Sequence, residues 1–114
     1  MDWTKIFAAW GTTDAAEWVA DVENLTTEGV YYADPHTGPV EGRTGLIAVI
    51  EQFRTLMPDG GAVARDADGY DGHGRAAVDF LKGGKPMMTG QYFAALDGDG
   101  RITHLIGFSS PPTP

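Results

Sequence analysis

Asp34 is the residue whose type and setting point most directly to chemistry. It ends an apolar segment that contains two adjacent tyrosines, Tyr31 and Tyr32, and Pro35 and a Gly/Pro-rich loop follow it. A carboxylate held where a strand ends beside a helix is well placed to exchange a proton with an organic ligand in an apolar pocket. The alternative is that the Asp-Pro pair only starts a turn, which is the commoner role of this dipeptide.

The histidines are the other candidates for proton transfer, because imidazole titrates near neutral pH. His36 follows the Asp-Pro turn and is predicted to lie at the mouth of a pocket, whereas His73 lies in a Gly-rich turn and is predicted to face solvent. Nothing in the spacing of these two residues and His104 favours a metal site, and none is predicted. No serine or cysteine nucleophile motif is present either.

Composition limits the classes of partner. Sixteen acidic against eight basic residues give a net charge of −8, which disfavours nucleic acid and anionic membrane surfaces as partners. The absence of cysteine excludes disulfides and thiolate metal sites. The N-terminal segment lacks the features of a signal peptide, so the expected location is cytoplasmic. The length predicts one domain over residues 1–110, followed by a loose tail over 111–114.

Apolar periodicity predicts the elements that position these side chains. Spacings of three and four predict helices over residues 3–11, 14–22 and 44–57, the first capped by Asp2, the second by Asp14 and the third by Thr44. A β-rich segment over residues 28–34 and an irregular loop separate the second helix from the third. Beyond Gly61 a period of two predicts four strands, over residues 62–70, 75–82, 86–97 and 101–108, joined by Gly/Asp hairpin turns. Helices followed by hairpins predict an α+β fold with an antiparallel sheet curled against the helices.

Two segments in this order resemble a known family. The run YYADPHTGPVEGRTGLIAVIEQF and the later run TGQYFAALDGDGRITHL resemble the SnoaL-like branch of the ketosteroid isomerase and nuclear-transport-factor-two-like superfamily. The resemblance implies a cone-shaped α+β barrel, with three N-terminal helices packed in a curved sheet around an apolar pocket. It also implies a homodimer formed through the outer sheet face, where Ile106 and Phe108 would lie.

The resemblance assigns expected roles to single residues. Asp34 matches the proton-shuttling aspartate of the steroid isomerases. Tyr92 stands where the family usually has an acidic residue, and Ile6 stands where the isomerases have a tyrosine, so the isomerase oxyanion hole is incomplete. The family register turns Leu105 inward and His104 outward. The residues expected to line the pocket are Ile6, Trp10, Tyr32, His36, Phe53, Met57, Phe80, Met88 and Leu105, although such residues are more often ordinary core.

The function expected from this resemblance is cofactor-free proton-transfer chemistry on a polyketide-, steroid- or terpenoid-like molecule. The ligand would be small, largely apolar and oxygenated, and the reaction an isomerisation, a cyclisation or a dehydration. Asp34 would take or relay the proton, and Tyr92 or Tyr32 would polarise the substrate oxygen. The alternative is a ligand-binding or dimerisation module without catalysis on the same fold.

Overall fold

The computed structural model describes residues 1–11 and 14–109. The elements in chain order are α1 (Trp3–Ala8), α2 (Ala15–Leu25), β1 (Thr26–Asp34), β2 (Thr37–Glu41), α3 (Arg43–Leu56), β3 (Gly60–Tyr70), β4 (His73–Lys82), β5 (Lys85–Leu96) and β6 (Ile102–Ser109). The predicted α+β class, with three helices, is therefore confirmed. The predicted loose tail at 111–114 lies outside the described residues.

The strands form one curved sheet in the order β2-β1-β6-β5-β4-β3. Four of its pairs are antiparallel, but β1 and β6 are parallel. The prediction of an antiparallel sheet was thus wrong at this pair, because a two-residue period shows that a segment is a strand and not which distant strand it joins. The β2 strand was also missed, since its Gly and Pro residues favour an irregular loop.

Two tight hairpins fix the register of β3, β4 and β5. Asp71 and Gly72 have positive φ angles of 48° and 74°, and Gly83 and Gly84 have 60° and 79°. Both pairs occupy two-residue turns, in which both central residues need positive φ. The predicted turn at 71–74 is accordingly shorter than expected, since β4 already begins at His73.

The helix starts agree with the sequence in two cases of three. Asp2 Oδ1 accepts a hydrogen bond from Lys5 N (2.9 Å), and Asp14 Oδ1 accepts one from Glu17 N (3.1 Å). The predicted Thr44 cap is wrong. The N-cap of α3 is Gly42, whose φ of 91° makes the turn out of β2 and whose N–H donates to Val30 O (2.7 Å).

The helices pack on the concave face of the sheet and close most of the core. The side chains that are fully buried include Phe7, Ile6, Leu46, Ile50, Tyr32, Val78, Ile102 and Leu105. Within the described residues, no helix is long and apolar enough to cross a membrane.

Candidate functional site

A cavity of about 250 Å³ opens between α3 and the concave face of the sheet. Its walls are mostly aromatic and aliphatic, with Asp34, His36 and Tyr92 as polar residues whose chemistry suits proton transfer. The lining residues are Trp10, Asp34, Pro35, His36, Thr37, Val49, Gln52, Phe53, Leu56, Phe80, Met88, Thr89, Gly90, Tyr92 and Phe108. An apolar pocket with a few convergent polar groups is the usual form of a small-molecule site.

The structure places most of the predicted residues on this cavity. Both predicted catalytic residues line it, as do five predicted wall residues: Trp10, His36, Phe53, Phe80 and Met88. Phe108, which was expected on the outer sheet face, reaches the rim of the cavity and packs edge-on against Phe93 (5.8 Å between ring centroids).

Four predicted wall residues do not line the cavity. Ile6 and Leu105 are fully buried in the closed core, where α1 and β6 pack inward. Met57 lies past the end of α3, so the helical spacing that predicted it no longer applies and Leu56 contributes to the wall instead. Tyr32 is also fully buried, and only through its hydroxyl is it connected to the site.

The Asp34 carboxylate accepts three hydrogen bonds. Its Oδ1 accepts from the backbone N–H groups of His36 (2.8 Å) and Thr37 (2.7 Å), and its Oδ2 accepts from the hydroxyl of Tyr32 (2.5 Å). The turn role and the chemical role expected of Asp34 therefore coexist. One oxygen holds the β1–β2 turn, and the other belongs to a polar network at the cavity wall.

The network continues from Tyr32 to Tyr92, whose hydroxyl oxygens lie 3.1 Å apart. Tyr32 and Asp34 are two residues apart on β1, which places them on one face of the strand. Burial is the main cause that raises the pKa of both phenols well above the ordinary value, and the Asp34 charge raises both further. Both hydroxyls therefore stay protonated through the physiological range, as neutral hydrogen-bonding groups.

Two glycines leave room for the Tyr92 ring to pack on the backbone of the sheet. A Cβ atom at Gly107 would lie 2.5 Å from Tyr92 Cζ, and one at Gly90 would lie 3.2 Å from its Cε1. The ring therefore lies directly over the backbone of β5 and β6, and Phe7 packs edge-on against it (4.9 Å). Sequence reasoning missed this role of Gly107. The available signal was a glycine inside a strand, which often marks a close approach.

The histidines are dispersed. The His36 side chain lines the cavity, while His73 is exposed with Nδ1 2.9 Å from Asp71 O. His104 is exposed and its ring packs 5.9 Å from that of Tyr31, as the outward register predicted. In the part of the chain that the structure describes, no three His, Cys, Asp or Glu side chains form a candidate metal site.

The raised phenol pKa values predict a loss of stability in alkali. Unfolded tyrosine ionises near pH ~10, whereas Tyr32 and Tyr92 resist ionisation when folded, so their stabilising effect is complete below pH ~10 and lost above it. We expect a loss of about 1.4 kcal/mol per buried tyrosine per pH unit above that point. Tyrosinate absorbance should show that the phenolates of Tyr32 and Tyr92 form only as the protein unfolds. Near-UV circular dichroism should report that unfolding. Tyr92→Phe should remove one of the two phenolates that form late. If all four tyrosines ionise before the protein unfolds, the prediction is wrong.

Solved structures share this architecture over nearly the whole chain. A candidate isomerase of the SnoaL-like family from Agrobacterium tumefaciens superposes with a TM-score of 0.84 at 27% identity, covering 94% of this chain and 92% of the other. The chain has the SnoaL-like fold. The resemblance inferred from the two sequence segments is thereby confirmed.

Two further structures with this fold are more distant in sequence. A candidate SnoaL-like polyketide cyclase from Jannaschia sp. CCS1 has a TM-score of 0.74 at 16% identity, covering 92% and 79% of the two chains. A candidate ketosteroid isomerase from Kribbella flavida has a TM-score of 0.71 at 19% identity, covering 96% and 76%. No family model matches the sequence, and no curated protein matches it. The comparisons therefore support the SnoaL-like fold and leave the reaction to be argued from the site.

Proposed function

We propose that this SnoaL-like chain is a cofactor-free enzyme that moves protons on a small oxygenated organic molecule. Asp34 exchanges a proton with a substrate carbon, and the Tyr92 hydroxyl binds the substrate oxygen. The observation that carries the proposal is the chain of hydrogen bonds from Asp34 through Tyr32 to Tyr92, with both ends on the wall of one apolar cavity. Isomerisation through an enol is the reaction this arrangement suits best, ahead of cyclisation or dehydration.

The apolar walls supply the conditions that such chemistry needs. Trp10, Phe53 and Phe80 line the cavity with aromatic surface, and electrostatic interactions strengthen where apolar surface excludes water. A general base contributes roughly 10²- to 10⁴-fold to rate, and positioning contributes the remainder. The volume of about 250 Å³ lies just below the usual range of about 300–1,000 Å³ for ligand sites and suits a ligand of roughly two fused rings. A steroid-sized substrate would extend through the mouth.

The oxygen-binding arrangement differs from that expected of steroid isomerases. Ile6 is buried in the core at the position where the resemblance implies a tyrosine, and Tyr92 takes the position of an acid. Tyr32 contacts Tyr92 and Asp34 rather than the cavity. Of the two tyrosines proposed for the substrate oxygen, Tyr92 is the one that lines the cavity.

A ligand-binding domain without turnover is the second candidate. It is favoured by the fact that both Asp34 oxygens already accept hydrogen bonds from the chain, as a purely structural turn residue would. The two candidates predict different outcomes for the same reagent, so one assay separates them.

The test is exchange of the acidic C–H protons of 2-tetralone, a two-ring ketone, in D₂O. We expect exchange, followed by proton NMR, to accelerate in proportion to protein concentration, because Asp34 removes a proton from carbon. The control is the same protein with the cavity filled from α3 by Gln52→Trp, because Gln52 lines the cavity and is exposed. Saturable binding of 2-tetralone without any acceleration would favour the binding domain and contradict the enzyme.

A further inference from the structure

The hydrogen bonds of the Asp34, Tyr32 and Tyr92 network have a fixed direction. Asp34 Oδ1 accepts two backbone N–H bonds, and a carboxylate only accepts. Oδ2 therefore accepts a hydrogen bond from the hydroxyl of Tyr32. A phenol has a single O–H proton, so Tyr32 has none left for its other neighbour.

The direction passes on to Tyr92. Tyr32 can only accept at the 3.1 Å contact between the two hydroxyls, so the Tyr92 hydroxyl donates to it. Tyr92 is 3% exposed and lines the cavity, and with its proton directed at Tyr32 it presents a lone pair to a ligand. A ligand carbonyl oxygen would place its own lone pair against that of Tyr92 and form no hydrogen bond. A ligand hydroxyl would donate a hydrogen bond to it.

We infer that the resting cavity selects ligands bearing a hydroxyl donor, such as an enol, a phenol or an alcohol, over the matching carbonyl compounds. Tyr32 is the positioning residue that sets this preference, although it does not line the cavity. The inference rests on the proposed function, because it names the form of the substrate that the site holds best. It makes the enol the tightly held species of an isomerisation.

The same direction gives a balanced path from an enol to a ketone. The enol O–H proton moves to Tyr92, the Tyr92 proton moves to Tyr32, and the Tyr32 proton moves to Asp34 Oδ2. The C=C bond becomes a single bond, the C–O bond becomes C=O, and the carbon takes the proton from Asp34. Asp34 and both phenols finish in the protonation states in which they started, and no co-reactant is needed.

The test compares two probes with the same ring skeleton, 2-naphthol and 2-tetralone, by calorimetric titration at neutral pH. We expect the wild-type protein to bind 2-naphthol about tenfold more tightly, the effect of one hydrogen bond made or opposed. In Tyr32→Phe the Tyr92 proton is released from its partner and can donate to a carbonyl. The ratio should fall to near one, mainly because 2-tetralone binds more tightly.

Asp34→Asn should reverse the preference. The two backbone N–H groups require an acceptor at the Oδ1 position, so the amide nitrogen faces Tyr32 and donates to it. Tyr32 then donates to Tyr92, and Tyr92 donates to the ligand, so that 2-tetralone becomes the tighter probe. Tyr31→Phe is the matched control, because the Tyr31 ring packs against His104 away from the cavity, and it should keep the wild-type ratio.

The inference would be overturned if the wild-type protein bound both probes equally, bound 2-tetralone more tightly, or bound neither probe. An unchanged ratio in a folded Tyr32→Phe variant would do the same. If that variant does not fold, the wild-type protein can be titrated with 2-naphthol and with 2-methoxynaphthalene, which lacks the hydroxyl donor. We expect 2-naphthol to bind about tenfold more tightly, and equal binding would contradict the donor requirement. These measurements need no turnover. An active enzyme without the preference contradicts only this inference, and an inactive protein with the preference contradicts only the proposed function.

Discussion

Asp34→Asn is expected to slow the exchange of 2-tetralone protons by about 10²- to 10⁴-fold, the contribution of a general base. The amide has the shape of the carboxylate, and its oxygen can still accept the backbone N–H bonds of His36 and Thr37 that hold the turn. It cannot take a proton from carbon. The loss should therefore appear in the rate at saturating 2-tetralone, with the circular dichroism spectrum retained and 2-tetralone bound at least as tightly as by the wild-type protein.

The chain contains a matched control for this substitution. Asp97 holds the β5–β6 turn in a similar way, with Oδ1 accepting from the N–H groups of Asp99 (2.9 Å) and Arg101 (3.0 Å). It is not among the cavity-lining residues. Asp97→Asn should leave the exchange rate unchanged. Equal rates in the wild-type protein and Asp34→Asn would show that Asp34 is only a turn residue, and the proton-transfer proposal would fail.

Gly107→Ala is expected to destabilise the protein by about 1–3 kcal/mol and to displace the Tyr92 hydroxyl. The added methyl group would lie 2.5 Å from Tyr92 Cζ and 2.6 Å from Cε2, closer than packed atoms approach. The ring is held from the other side by Phe7 and has little room to retreat. Chemical denaturation should show the lower free energy of unfolding, and the loss of the 2-naphthol preference should accompany it.

Two comparisons isolate the clash from the general cost of replacing glycine. A Cβ at Gly98 would meet nothing within 4 Å, so Gly98→Ala should change the free energy of unfolding little. In a Tyr92→Leu background, where the ring is gone, the cost of Gly107→Ala should shrink markedly, as expected for residues in contact. If Gly107→Ala is no more destabilising than Gly98→Ala, the close packing of the Tyr92 ring on Gly107 is refuted.

Local pattern was sufficient for much of the fold. The helical stripe around Trp3, the Asp14 cap and the turns at Asp71 and Gly83 depend on residues within a few positions of one another. Such interactions can be identified in the sequence because helix periodicity, capping and positive φ are local properties. The same applies to the placement of Asp34 at the end of a strand, and to Tyr32 lying on the same strand face two residues before it.

The sequence by itself therefore determined the order of the elements apart from β2, the Asp34 turn and the resemblance to the SnoaL-like family. Only the tertiary structure decided that β6 pairs in parallel with β1 and brings β5 beside it, which sets Tyr92 3.1 Å from Tyr32 across sixty positions of sequence. It also decided that Ile6 and Leu105 lie wholly in the closed core, whereas Trp10, although buried, also reaches the cavity wall. The physical reason is that strand order and cavity shape result from packing among distant segments, and a local period carries no information about which distant segments meet.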